Sequence, residues 1–217
     1  MKKPVARMGR RRAAEPSAGT RERLFAAAAT EFAARGFAGA NVDRIADAAR
    51  VNKAMLYYHF GSKSSLYGEI LRDMFAAVAA RLAATVAPGA DPSERVSAMA
   101  EAIGREAEVR PHFPPIWLRE VAEGGAHLDK PTIAVIGGLL RHMTTAVGEG
   151  IASGQFVPTN AFLLQLGIVG PLLLFFATAP LRRKVGPELD RAVNLSTDEV
   201  IAHVKRVALQ TLEGTKR

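Results

Sequence analysis

Apolar residues recur at intervals of three and four along almost the whole chain, a spacing typical of amphipathic helices. Leu24, Ala28 and Phe32 follow it near the start of the chain, and Val200, Val204 and Val207 follow it near the end. No run of β-branched residues alternates with polar residues as a half-buried strand would. The pattern therefore predicts an all-α protein.

Residues that favour helix ends divide this pattern into separate helices. Thr20 is predicted to cap the first helix and Gly36 to end it. The predicted caps of the next three helices are Asn41, Asn52 and Ser62. Farther along, capping boxes are predicted at Asp91-Pro92-Ser93-Glu94 and Ser196-Thr197-Asp198-Glu199, a short helix from Pro115 through Glu123, and a long helix from about Pro131 to Ser153.

The stretch AFLLQLGIVGPLLLFFATAPL, residues 161–181, is apolar over a length that could cross a membrane. Gln165, Gly167 and Pro171 interrupt it, and it is the only such stretch in the sequence. We therefore expect a helix buried in a core or in a subunit interface, bent near Gly170-Pro171, and no membrane partner. A membrane anchor is the alternative.

The positive charge of the chain is concentrated in its first quarter. The 217 residues carry a net charge of +8; residues 1–60 hold 12 Lys and Arg against 5 Asp and Glu, and residues 61–217 hold 17 against 16. This asymmetry predicts a polyanionic partner for the N-terminal quarter. Residues 1–19 are predicted to form a disordered basic arm, because no apolar segment of a signal peptide follows their charges.

Three short helices within about forty residues match the helix-turn-helix arrangement, in which the third helix enters the major groove of DNA. In that helix Leu56 and Phe60 are expected to face the core. The residues left to face DNA are Lys53, Ala54, Tyr57, Tyr58 and His59. Alternatively, Tyr57 and Tyr58 pack against the first helix.

The segment from Thr20 to Leu71 resembles the DNA-binding domain of the TetR (tetracycline-repressor) family of bacterial transcription regulators. The matching features are Phe32, Gly36-Phe37, Val42-Asp43-Arg44-Ile45-Ala46, Val51, Leu56-Tyr57-Tyr58-His59-Phe60 and Ser62-Lys63. The resemblance implies a helix-turn-helix DNA-binding domain over residues 20–66. It also implies a larger helical domain over residues 67–217 that dimerises through its last two helices and usually holds a small effector.

The resemblance also assigns roles to individual residues. It places Thr20, Tyr58 and Lys63 at phosphates of double-stranded DNA, although Lys63 could be a merely solvated residue. Base or backbone contacts are implied for Lys53, Ala54, Met55, Tyr57 and His59, with Arg44 as a further contact and Asn52 at the start of the reading helix. Arg50 departs from the family pattern, which commonly has glycine in this turn.

No enzyme motif or metal site is evident in the sequence. GxSxG, GxxxxGK[ST] and HExxH motifs are absent, so we expect neither an enzyme nor a cofactor. The absence of Cys excludes disulfides and Cys-based metal sites and favours a cytoplasmic location. The histidines lack metal-ligand spacing, and a composite site of His112, His127 and His142 is the weaker alternative.

An effector pocket in the larger domain would draw on aromatic and polar residues there. The candidates are Met99, His112, Phe113, Trp117, Glu120, His127 and Met143. Such a lining suits a small amphipathic or aromatic effector.

The last two predicted helices point to a homodimer. Helices near residues 160–177 and 197–212 are more apolar than a small domain can bury alone, unless they form an internal core. A two-fold dimer would place two reading helices about 34–36 Å apart on a near-palindromic operator. We therefore expect a ligand-responsive repressor; the alternative is a constitutive DNA-binding protein without an effector.

Overall fold

The computed structural model describes residues 18–184 and 193–214. Nine helices have both ends in this part of the chain, which contains no strand, and the predicted all-α class is confirmed. They are α1 (Ala18–Gly39), α2 (Val42–Ala48), α3 (Lys53–Phe60), α4 (Lys63–Thr85), α5 (Pro92–Val109), α6 (Phe113–Ala122), α7 (Lys130–Ala152), α8 (Ala161–Ala177) and α9 (Thr197–Glu213). Residues 179–184 are also helical.

Most helices begin where side chains satisfy their free backbone N–H groups. The side-chain oxygen of Asn41 accepts from Asp43 N at 2.7 Å, and that of Asn52 accepts from Ala54 N at 2.9 Å. Capping boxes form at Asp91 with Glu94 and at Ser196 with Glu199, and Ser62 caps α4. The predicted starts of α2, α3, α4, α5 and α9 are therefore confirmed.

Two predicted helix starts are wrong. The first helix begins at Ala18, so Thr20 lies inside its first turn, where its hydroxyl accepts a hydrogen bond from Arg23 (3.1 Å). The same start removes residues 18 and 19 from the predicted arm, whose residues 1–17 lie outside the described residues. Helix α6 begins at Phe113 rather than Pro115, because prolines are tolerated in a first turn whose N–H groups need no helical partner.

Helix α4 joins a small N-terminal unit, α1 to α3, to the rest of the fold. Its residues Leu66, Ile70 and Met74 are fully buried, and it packs against α1, α3, α5, α6 and α7. The predicted domain boundary at residues 66 and 67 therefore falls within a continuous helix. We refer to α1–α3 as the reader.

Helix α5 forms the centre of the larger unit, packed by α4, α7, α8 and α9. A Cβ added to Gly104 would lie 2.5 Å from Ile201, so glycine is what allows α9 to approach α5 this closely. The buried stripe of α9 consists of Val200, Ile201, Val204, Ala208 and Leu212.

That burial corrects two predictions about α9. Its main apolar stripe is covered within the chain by α5 and α8, so a second copy is not needed to bury it. Val207, assigned to the stripe by spacing, lies off it and is 45% exposed. Among the described helices, none is both long and apolar enough to span a membrane.

Candidate nucleic-acid interface and internal cavity

The turn between α2 and α3 sets the direction of the reading helix. Arg50 N–H donates to the carbonyl of Asp47 and Val51 N–H donates to that of Ala46, both at 3.0 Å. These two bonds form a Schellman motif, which needs a left-handed residue at the position of Arg50. Arg50 has φ 55° and is the one non-glycine residue with positive φ in the described part of the chain. Arginine thus adopts the conformation that favours glycine.

Helix α3 turns an apolar face to the core and a polar, aromatic face outward. Leu56 is fully buried and Phe60 is nearly so, as predicted, while Tyr57 and Tyr58 are 50% and 70% exposed. The alternative that these tyrosines pack against the first helix is therefore wrong. The exposed residues of this helix and its cap, which we call the reading face, are Asn52, Lys53, Ala54, Tyr57 and Tyr58.

Three other predicted DNA contacts are less accessible. Thr20 is buried, and Met55 packs partly against the core. His59 is half-buried, its ring lies edge-on to that of Tyr58 at 5.1 Å between centroids, and its Nε2 atom has no hydrogen-bond partner within the described residues. Their roles at DNA remain predictions.

Arg44 connects α2 to α1. Its Nε donates to Glu31 Oε1 at 2.7 Å and its Nη2 donates to the carbonyl of Gly39 at 2.8 Å. Burial opposes ionisation of Glu31, but hydrogen bonds from Arg44 and from Asn41 N–H outweigh it and lower the pKa of Glu31. In this structure Arg44 therefore orients α2, and its contact with DNA remains a prediction.

Two lysines flank the reading face. Lys53 forms an exposed ion pair with Asp43 at 3.0 Å, and the hydrogen bond to that carboxylate raises the pKa of Lys53. Lys63 Nζ donates to the carbonyl of Ala40 at 2.8 Å and lies 4.7 Å from the ring centroid of Phe37. An ammonium has three N–H donors, so this bond to Ala40 leaves Lys63 with donors for a phosphate.

Arg119 ties α6 to the reader. Its guanidinium donates to the carbonyl of Ala33 and, at 3.3 Å, to the carbonyls of Phe32 and Ala34. These carbonyls precede Gly36, whose φ of 68° breaks the helical path of α1 as predicted. A cation is favourable there because the last carbonyls of a helix carry partial negative charge.

A second cluster joins α6 to α4 and touches the reader through Phe37; it centres on Glu120, which is fully buried. Its carboxylate accepts from Tyr67 Oη at 3.1 Å and His127 N at 2.7 Å, and lies 3.0 Å from His127 Nδ1. Burial and the neighbouring Glu120 raise the pKa of Tyr67, so its hydroxyl stays protonated as a donor. The Phe37 ring lies 4.1 Å from the His127 ring.

The same cluster contains the one group of converging His and acidic ligand atoms found in the described ranges. Ligand atoms of Glu120, Glu123 and His127 lie within 4.8 Å of one another. These residues could hold a divalent cation, but hydrogen bonds donated by Tyr67 and His127 already satisfy the buried carboxylate. The alternative site of His112, His127 and His142 does not form, because only His127 belongs to this group.

A partly open cavity of about 180 Å³ lies between α4, α5, α6, α7 and α8. Phe75 crosses Trp117 edge-to-face at 4.7 Å between centroids and forms part of its wall. Phe162 and Leu166, which are about half exposed, border it on α8. The full lining is Phe75, Val78, Ile103, Phe113, Trp117, Val121, Ile136, Leu139, Leu140, Phe162, Gln165, Leu166, Val169 and Leu173.

Two of the seven predicted effector residues, Phe113 and Trp117, line this cavity. Met99 and Met143 are fully buried core residues outside it, and Glu120 and His127 belong to the link with the reader. His112 is outside the lining as well, and burial lowers its pKa. Sequence reasoning missed the other twelve lining residues; Gln165 is the only one among them with a distinctive signal, a lone amide in an apolar helix.

Helix α8 also leaves a row of large apolar side chains uncovered. Phe162, Leu163, Leu166 and Leu174 are each about half exposed or more. Beside them, Leu163, Gly167 and Val207 line a shallow groove between α8 and α9. This surface coincides with the helices predicted to form the dimer.

Comparison with known proteins agrees with this architecture. Residues 24–70 match the family model described as bacterial regulatory proteins, tetR family. The chain is 48% identical over 59 residues to the HTH-type transcriptional repressor SCO4008 of Streptomyces coelicolor, covering 27% of this chain and 30% of that one. It is 29% identical over 151 residues to the HTH-type transcriptional repressor NicS of Pseudomonas putida, covering 67% of this chain and 71% of that one.

The likeness extends through the larger domain at the level of fold. The structure of the ketosteroid transcriptional regulator KstR2 of Mycobacterium tuberculosis superposes with a TM-score of 0.71. The match covers 95% of this chain and all of that one, at 24% identity. The sequence alignment with SCO4008, in contrast, spans less than a third of that protein.

Proposed function

We propose that this chain is a DNA-binding transcriptional regulator of the TetR family and that it represses as a homodimer released by a small effector; the match of residues 24–70 to the TetR family model and the likeness to two transcriptional repressors support this proposal. The reading face carries this proposal. A helix whose outward side bears Lys53, Tyr57 and Tyr58, while Leu56 anchors its inner side, presents donors and aromatic surface to a major groove. Asn52 and Arg50 extend this polar surface to the start of the helix.

The dimer would form through the uncovered row of α8 and the adjoining groove. Burying a half-exposed Leu or Phe contributes on the order of 1 kcal/mol each, so a symmetric contact of four such residues from each copy would contribute about 8 kcal/mol towards association. Two readers related by a two-fold axis would bind a near-palindromic operator with half-sites about 34–36 Å apart.

Helix α6 provides the route from an effector to DNA. One of its faces, with Phe113 and Trp117, lines the cavity, while Arg119 and Glu120 hold the reader and α4. A ligand that displaces Trp117 therefore also displaces the contacts that set the reader's orientation. Ligand and operator would then oppose each other by a coupling of about 1–3 kcal/mol.

The test is equilibrium binding of the purified full chain to DNA from upstream of its own gene, measured by fluorescence anisotropy across a salt series. We expect saturable binding of two chains per site, with the logarithm of the affinity falling linearly against that of the salt concentration. Lys53→Ala should weaken this binding, whereas Lys130→Ala, an exposed lysine on α7, should not. Absent or salt-independent binding would refute the proposal.

The dimer is tested separately by sedimentation. Leu163→Glu places a charge in the exposed row of α8 and should yield monomers with weakened operator binding. Ile133→Glu, an equally drastic change at an exposed position of α7, should remain dimeric. A constitutive regulator would show the same dimer and DNA binding, with no compound releasing the operator.

A further inference from the structure

The reader is attached to the larger unit through two helices. Helix α4 starts directly after the reader and runs without a break into the larger unit. Apart from α4, α6 is the one described helix outside the reader that packs substantially against it. A body held by a single helix can still turn about the axis of that helix. The contact with α6 therefore decides whether the reader is held at one angle.

Arg119 forms the polar part of this contact. Its Nη1 donates to the carbonyls of Phe32 and Ala33, and its Nη2 donates to that of Ala34 at 3.3 Å. Three consecutive carbonyls match the planar fork of donors of a guanidinium, which the single ammonium of lysine does not reproduce. Within the described residues, every hydrogen bond of the Arg119 side chain goes to α1 and none goes to a carboxylate.

The path of α1 leaves room for this arginine. Gly36 is buried, and its φ of 68° breaks the helix shortly after the three carbonyls. A Cβ at this position would lie 3.4 Å from Arg119 Cδ, so glycine serves both the bend and the close approach of the side chain. The last carbonyls of a helical segment lack intrahelical donors, and the guanidinium supplies donors there.

A restrained α1 also restrains the reading helix. Arg44 of α2 donates to Glu31 and to the carbonyl of Gly39, which lie on either side of the segment held by Arg119. Helices α1, α2 and α3 pack against one another around buried side chains that they share. The reader therefore moves as one body, and the contact between Arg119 and α1 sets the direction of α3.

From this arrangement we propose that Arg119 is a specificity-determining positioning residue, which fixes the angle of each reader and so narrows the range of half-site separations that the dimer accepts. This inference rests on the proposed function, because it needs two readers of one homodimer on double-stranded DNA. One base pair added between the half-sites moves them apart by about 3.4 Å and turns them by about 34–36°. A reader held only through α4 can turn to follow such a change, whereas a reader also held by Arg119 resists it.

The first test is a spacing series on DNA. The operator upstream of the chain's own gene would be compared with versions that have one base pair more or one fewer between the half-sites, by fluorescence anisotropy at one salt concentration. The parent chain should prefer the native spacing. Arg119→Ala should reduce that preference by about tenfold, a change typical of losing a hydrogen bond from a charged group.

Two further variants separate geometry from charge. Arg119→Lys keeps the positive charge but replaces the fork by one ammonium, so it should restore only part of the preference. Arg141→Ala removes an arginine from an exposed position of α7 and should leave the preference unchanged. If Arg119→Ala does not fold, Arg119→Lys takes its place in both tests.

The second test needs no DNA. The chain has no cysteine, so Ala26→Cys at an exposed position of α1 attaches one spin label to each reader. Pulsed dipolar electron paramagnetic resonance then measures the distance between the two labels of the dimer. Adding Arg119→Ala should broaden the distribution of this distance, while adding Arg141→Ala should not.

A merely structural role of Arg119 gives a different result. The Tm and the affinity for all spacings would then fall together, while the spacing preference and the distance distribution stay as in the parent. That result overturns the inference, and so does a parent chain that binds every spacing equally. Absence of a dimer or of DNA binding instead disproves the proposed function, so the two failures are distinguishable.

Discussion

Replacing Arg50 by glycine tests both the strain of the turn before the reading helix and the charge that it carries. The residue has φ 55° at the Schellman position that closes α2. An L-residue with a Cβ pays about 1–2 kcal/mol in this region of backbone space, and glycine pays nothing. Arg50→Gly should therefore relieve strain in the folded state.

The net gain is smaller than the relieved strain. Glycine makes the unfolded chain more flexible, which costs about 0.4–1 kcal/mol. We expect a net stabilisation of roughly 0.5–1 kcal/mol, which for a chain of this length raises Tm by about 1–4 °C. The substitution also removes an exposed cation beside the reading face, so the slope of log affinity against log salt should fall by about 0.9 if Arg50 meets a phosphate.

Arg50→Ala separates the two effects, because it removes the same charge but keeps the strained Cβ. Thermal unfolding at one fixed protein concentration and anisotropy across a salt series would be run on both variants. The alanine variant should show the reduced salt slope without the higher Tm. If the glycine variant unfolds no later than the alanine variant, the reasoning about the left-handed turn is wrong.

Three further predictions concern the reader and its attachment. Leu56→Ala should cost about 2–5 kcal/mol of unfolding free energy because it leaves a cavity in a fully buried site, whereas Tyr57→Ala should change operator affinity at nearly constant Tm. The lowered pKa of Glu31 stabilises the folded state at pH values above the ordinary pKa of 4.5, and this stabilisation is lost as the pH falls through the lower pKa of the folded state. In Glu31→Gln, the free energy of unfolding measured by chemical denaturation should therefore depend less on pH across that acidic range. An unchanged pH profile would contradict this assignment. Glu120→Gln should weaken the hydrogen bonds from Tyr67 and His127 and lower the unfolding free energy by about 1–3 kcal/mol. A variant as stable as the parent would show that this buried carboxylate does not stabilise the contact between α6 and α4.

The reader was largely predictable because its signals are local. Asn41, Asn52 and Ser62 cap their helices through N–H groups two or three residues away, so the residue type and its place before an apolar run were sufficient. The inward direction of Leu56 and Phe60 followed from helical periodicity alone. Thr20 shows the limit, because a residue that can cap a helix can also lie within its first turn.

The cavity was not predictable in the same way. Its wall combines side chains from five helices, so no single stretch of the sequence shows which residues meet there. Polar and aromatic composition pointed instead to Glu120 and His127. These two residues form a hydrogen-bonded cluster with Tyr67 beside the reader and do not line the cavity.

The sequence by itself determined the helical class, most helix starts, the outward face of α3 and the resemblance to a repressor family, since each depends on residues close together along the chain. Tertiary packing decided that the α9 stripe is covered internally while α8 stays uncovered, that α6 touches both cavity and reader, and that arginine fits a turn suited to glycine. These features depend on which distant helices meet. That choice is made by the collective burial of apolar surface, which no local pattern specifies.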